Sequence, residues 1–153
     1  MVSQGEAFCP GHVTAFFEVV EDKDPRKKGS RGAGLSLSLG VRAVARVREA
    51  PRPSLEVFMN GKRAKAEVTE RAASKVLKDG SYEEKILTDT PLPVSQGFGG
   101  SAGAALSTAL AIDDALGRGL KRDELVAMAH EAEVECGTGL GDVVPASLGG
   151  MDL

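Results

Sequence analysis

Apolar positions recur with a period near two in the first half of this chain and near three and a half in its last third, which places strands early and helices late. From Glu6 to Val20 the pattern predicts two short strands broken at Pro10-Gly11, because Phe16, Phe17, Val19 and Val20 favour extended backbone and Pro-Gly marks a turn. Leu35, Leu37, Leu39 and Val41 alternate with Ser36, Ser38 and Gly40, so 35–47 reads as a half-buried strand with 29–34 as a flexible lead-in. Asn60-Gly61 readily takes the positive φ values of a tight turn, and predicts a hairpin between 54–59 and 63–67. Thr69 is placed to cap a helix over 71–78 that Asp79-Gly80 ends, and 85–89 is another strand. Beyond it, Ala102, Ala105, Leu106, Ala109, Ile112 and Leu116 line one face of a long helix, and Leu125, Met128, Ala129 and Ala132 do the same over 122–135. Strands first and helices last predict an α+β layer fold rather than the alternating units of a doubly wound sheet.

Composition narrows the class. One domain of 153 residues buries a core without disulfides, and 19 glycines with no tryptophan imply close backbone packing around small aliphatic side chains. A net charge of -3 argues against a nonspecific nucleic-acid binder, which needs a basic surface. The basic run Lys23 to Lys28, with Arg31 beyond it, is read as a solvated loop. Cys9 and Cys136 are too few for a disulfide framework and lack metal-site spacing, which favours a reducing compartment. Apolar runs are interrupted well short of the roughly 20 residues of a membrane helix and no secretory signal is read, so no membrane partner and a cytoplasmic location are expected.

Three stretches carry candidate chemistry. In Gly97-Phe-Gly-Gly-Ser-Ala-Gly103 the glycines let amide N–H groups approach an anion, a helix with free N-terminal N–H groups follows, and Ser101 adds a hydroxyl. No Gly-Lys-Ser/Thr follows, so it is not a Walker loop, and a small-residue helix start needed only for packing is the competing reading. In Gly137-Thr-Gly-Leu-Gly141 a mobile backbone leads to Asp142, which is either a base for an attacking hydroxyl or a turn residue and helix cap. On the helix between them, Glu133 and His130 share one flank of the apolar stripe while Glu131 and Glu135 fall on the other. His130 either faces a substrate or faces solvent.

Together, Cys9-Pro-Gly-His-Val-Thr-Ala-Phe-Phe-Glu18, Pro93-Val-Ser-Gln-Gly-Phe-Gly-Gly-Ser-Ala102, and Gly137 to Asp142 with Gly149-Gly150 resemble the GHMP kinases in order and spacing. Pro10-Gly-His-Val13, Gly29 to Gly34, Ala129-His130 with Ala132-Glu133, and Thr138 to Val143 are similar to the archaeal pantoate kinase branch. His12 stands where other branches usually carry lysine or arginine. The resemblance implies a ribosomal protein S5 domain 2-like fold, a mixed sheet with helices on one face. It further implies transfer of a phosphoryl group from ATP to pantoate, with Mg2+, in coenzyme A synthesis. On this resemblance Pro93, Gly97, Phe98, Gly99, Gly100, Ser101 and Ala102 cradle the nucleotide phosphates, Ser101 and Glu133 hold the metal, and Asp142 is catalytic. His130, Ser30, Arg31 and His12 become the candidates for pantoate.

Members of that superfamily have two domains with the active site between them, so residues 1–153 are expected to be the amino-terminal ATP-binding domain, with a carboxy-terminal GHMP domain absent from the chain or supplied by a second subunit. The face toward that partner should be partly apolar, and homo-oligomer formation is expected from it. A kinase for another small hydroxy acid or alcohol (shikimate, homoserine, mevalonate) and a noncatalytic nucleotide-binding domain of the same fold are the rival readings.

Overall fold

A long antiparallel hairpin forms the spine of the molecule: β1 (Ser3–Val20) pairs with β2 (Gly29–Glu49) along its whole length in the computed structural model, which describes residues 1–78 and 80–153. After it come β3 (Ser54–Met59), β4 (Lys62–Arg63), α1 (Glu67–Val76), β5 (Tyr82–Asp89), α2 (Gly100–Leu116), α3 (Arg122–Cys136), α4 (Val143–Leu148) and β6 (Met151–Asp152). The sheet runs β1-β2-β5-β3-β4, with β6 added to β2 at Gly34 and Leu35. It is mixed, because β3 and β5 are parallel and joined through α1 while the other pairs are antiparallel. The chain is therefore α+β, as its pattern predicts.

Periodicity explains where the core sits. Val41, Ala43, Ala45 and Val47 of β2 alternate inward onto α2, whereas Arg42, Arg46 and Arg48 point to solvent. α2 lies across β1 and β2, with α1 and α3 against its sides. It is consequently buried nearly all round from Ala102 to Ile112, not on the single face its apolar spacing suggests. Small side chains make that approach possible. A Cβ on Gly5 would lie 2.2 Å from the carbonyl oxygen of Ala111 and 2.3 Å from the amide of Ala115, both backbone atoms that cannot turn aside. Gly5→Ala is thus expected to cost about 3 kcal/mol or more, seen as a lower urea midpoint with an unchanged slope.

Several expectations are corrected. Pro10-Gly11 lies within one continuous strand, not at a break between two, and faces a bulge in β2: β1 advances from Pro10 to His12 while β2 advances from Gly40 to Ser36. The irregularity cancels the alternation of the leucines, so Leu35 and Leu39 are exposed and only 41–47 keeps the half-buried rhythm. Residues 29–34 are paired strand, since Gly29 to Ala33 face Val20 to Phe16. The Asn60-Gly61 turn is present with φ of 48° and 75°, but its second strand stops at Arg63 and Glu67 already opens α1. Thr69 lies inside that helix, buried, and the first-turn contact comes instead from the Ala66 amide donating to Oε1 of Glu70 at 3.2 Å. The helix stop assigned to Asp79-Gly80 falls partly on Asp79, outside the described residues; α1 ends at Val76. α4 and β6 have no counterpart in the sequence pattern.

Candidate active site

The glycine run enters α2 through two left-handed residues, Gly97 (φ 79°) and Gly99 (φ 65°), the latter in the N-cap position. Its anchor is β1 opposite the β2 bulge, where the His12 amide donates to the Phe98 carbonyl at 3.0 Å. No side chain caps α2 and no acidic residue occupies its first turn, so its N-terminal N–H groups and dipole face outward uncompensated. A Cβ at Gly97 or Gly100 would meet nothing within 4 Å, so these two glycines border open space rather than a packed neighbour. That space is a cleft of about 470 Å³ lined by Pro93, Gly97, Phe98, Gly99, Gly100 and Ser101, with Thr138 and Asp142 on its far wall. Ala102 differs: its side chain is buried in the core, leaving only its backbone for a ligand.

Glu133 reaches the same place from α3. It is 0% exposed, and its Oε1 accepts a 2.5 Å hydrogen bond from the Ser101 hydroxyl. Its other oxygen, Oε2, is buried with no partner among the described residues. Burial pushes the Glu133 carboxyl up to about 7; the Ser101 hydrogen bond opposes this, the negative charge of Asp142 adds to it, and a weaker hydrogen bond from Thr138 opposes it. Gly139 is pressed onto the carboxylate, for a Cβ there would stand 2.7 Å from Oε2. Glu131 and Glu135 lie on the opposite flank as their spacing predicts, paired with Arg26, Lys75 and Arg71.

Asp142 holds the N-cap position of α4 but makes no capping bond with its side chain. Its Oδ1 instead accepts from the Thr14 hydroxyl at 3.1 Å and lies 3.0 Å from Nδ1 of His12. The Nε2 of that ring is 2.9 Å from Oδ1 of Asp152. His12 is 3% exposed and its ring is held between two carboxylates, at the edge of a cleft that it also lines.

A second cleft of about 590 Å³ opens on the other side of Asp142. Ser30, Arg31 and His130 line it, and so do Arg26, Lys27 and Lys28 of the loop between β1 and β2. The basic run read as a solvated loop is therefore in part the wall of a site, strapped to α3 by Nε2 of His130 on the Lys28 carbonyl (2.8 Å) and by Arg26 on Glu131. His130 is buried rather than solvent-facing. Sequence reasoning passed over Thr14, Thr138, Asp152 and this loop. The loop's charge was the usable signal, whereas the others are ordinary residues until the fold brings them to Asp142 or Glu133.

Residues 62–150 match the family model of the GHMP kinases N terminal domain. The chain belongs to the GHMP kinases. A pantoate kinase of Thermococcus kodakarensis is 41% identical over 152 residues, which are 96% of this chain and 50% of that protein. The chain spans about half the length of the curated relatives it matches. Among solved structures, one described as a phosphotransferase related to the CoA biosynthesis pathway superposes with a TM-score of 0.87 at 38% identity, covering 99% of this chain and 52% of that one. A homoserine kinase from Cytophaga hutchinsonii superposes at 0.73 with 19% identity, over 97% of this chain and 47% of that one, a likeness of fold. These GHMP relatives share the mixed sheet with helices that the sequence resemblance implied. Among the described residues no helix is long and apolar enough to cross a membrane.

Proposed function

We propose that this chain is the nucleotide-binding half of a pantoate kinase, transferring the γ-phosphoryl of ATP to the 4-hydroxyl of pantoate for coenzyme A synthesis. One observation carries the reading: Asp142 borders both clefts, the glycine-lined one at the start of α2 and the basic one containing Ser30, Arg31 and His130. A phosphoryl donor in the first and a hydroxylated anion in the second would meet at its carboxylate. The four cations at the second cleft suit the carboxylate of pantoate.

The unpartnered Oε2 of Glu133 and the hydroxyl of Ser101 form an all-oxygen donor set that fits magnesium, which takes one or two protein oxygens and completes its shell with phosphates and water. A magnesium ion held by Glu133 and Ser101 would supply charge neutralisation to the transferring phosphoryl group. The amides from Gly97 to Ala102 hold the triphosphate by hydrogen bonds and by the dipole of α2. Asp142 orients the pantoate hydroxyl and accepts its proton. Most of the acceleration then comes from positioning and charge, as in other phosphoryl transfers.

The other half of the site belongs to a carboxy-terminal GHMP domain or to a second subunit. Phe16, Phe17, Leu35, Leu148 and Met151, all exposed around β6, supply an apolar surface for it or for self-association. Phosphorylation of a panel of hydroxylated metabolites by the full-length protein tests the assignment. Pantoate should show the highest kcat/KM; shikimate, homoserine or mevalonate ahead of it would overturn the choice, and no phosphorylation of any of them would favour a noncatalytic nucleotide binder.

A further inference from the structure

The structure assigns Asp152 as a positioning residue that acts on Asp142 through His12. The chain makes this contact by an unusual route. Gly149 and Gly150, both with positive φ, reverse the chain after α4; Gly150 then accepts from the Ser36 amide at 2.8 Å, and β6 pairs Asp152 with Gly34. Gly34 is the residue beneath the His12 ring, where a Cβ would lie 2.3 Å from Nε2, so this stretch of β2 holds both the ring and the acid that grips it.

Proton accounting gives the arrangement its consequence. An imidazole donates through a nitrogen only where it carries a proton, and a carboxylate only accepts. Both contacts of His12, 3.0 Å to Asp142 and 2.9 Å to Asp152, are hydrogen bonds together only when both ring nitrogens are protonated. Asp152 and Asp142 thus grip the ring from both sides in a position that is closed to solvent. With Thr14 also donating to it, Oδ1 of Asp142 is occupied twice. Oδ2 has no hydrogen-bond partner among the described residues, and is the oxygen left to receive the proton of an attacking hydroxyl. That last step rests on the kinase reading above; the clamp itself does not. Its logic is that of an acid that fixes the orientation of a histidine and, through it, the next group in line.

Asp152→Asn tests it in the full-length protein. Asparagine adds no negative charge and can turn its NH2 to donate to Nε2, so the ring should fall back to a single proton on Nδ1, where the Asp142 carboxylate can only accept, and Nε2 should lose its hydrogen. The chain has two histidines, and a His12→Gln variant assigns the ring signals by their disappearance. Nitrogen-15 NMR of the unsubstituted protein should show His12 with both ring N–H protons, and Asp152→Asn should remove the Nε2 proton. In turnover, kcat should fall roughly 10–100-fold, the usual effect of losing such an orienting partner, while the KM for ATP stays within about twofold. Unchanged kcat overturns the proposal even if the ring spectrum changes, and so does a fall in kcat with both ring protons retained. If the unsubstituted protein phosphorylates no hydroxy acid, the kinase reading fails separately, and the ring spectrum still decides whether Asp152 and Asp142 clamp His12.

Discussion

Asp142→Asn is expected to lower kcat by about 10²–10⁴ while nucleotide affinity changes little, measured by steady-state phosphorylation alongside calorimetric titration with a nonhydrolysable ATP analogue. The expected split follows from where the side chain sits. Its carboxylate borders the glycine-lined cleft but is bonded to His12 and Thr14 and not to the α2 amides that would bear the phosphates. An asparagine preserves the shape and can still accept from Thr14 and His12 through its oxygen, but its NH2 group cannot take a proton from a hydroxyl. A noncatalytic domain would keep its function in this variant. A variant that retains full turnover would remove Asp142 from the chemistry.

Glu133→Gln should move stability and activity in opposite directions. The unfolded chain ionises this carboxyl near 4.5, and the folded chain holds the proton up to about 7. Between those values the folded state binds more protons than the unfolded state, so stability falls as pH rises through this window and stays reduced above it. The displacement corresponds to about 3 kcal/mol at pH 8 and to nothing below about pH 4. Glutamine has no charge to bury and can still accept from Ser101. Urea unfolding should therefore show the variant more stable by up to about 3 kcal/mol at pH 8, with the difference vanishing at pH 4. Added magnesium and nucleotide should stabilise the native chain and not the variant, because an ion bound to Oε2 supplies the partner that this oxygen lacks. Turnover should drop by about 10²–10³, the usual result of deleting a preorganised charge contact. Equal stabilities at pH 8 would show that burial of this carboxylate carries no penalty.

The two predictions concern one device. A carboxylate kept dry and without a partner is costly in the free chain, and the cost is relieved when a cation arrives, so a site that destabilises its own scaffold is poised to bind. Gly139 keeps the backbone against that carboxylate, and Ser101 occupies its other oxygen. Both positions stand in the segments whose resemblance to the GHMP kinases is visible in the sequence.

Local chemistry was legible where a single residue or a short period decides it. The Asn60-Gly61 turn, the α3 stripe that puts Glu133 and Glu131 on different flanks, and the αL glycines that end α2 and α3 at Gly117 and Gly137 all follow from backbone preference and a repeat of 3.6. Strand continuity was not legible, because Pro10-Gly11 reads the same whether the chain turns or runs on, and only pairing with a bulged β2 distinguishes the two. Nor did the basic run by itself show that Lys27 and Lys28 wall a cleft, since charge marks a loop as a candidate without saying what the loop covers.

The sequence by itself determined the order of strands and helices from β2 to α3, the small-residue core, and the glycine bends on which a phosphate site depends, because these rest on φ preferences and side-chain volume within a few residues. Tertiary structure alone decided which acids meet. Thr14, His12, Asp142 and Asp152 are up to 140 residues apart along the chain. A hydrogen bond acts over about 3 Å, so only the folding of β1, β2 and β6 around α4 brings them within its range.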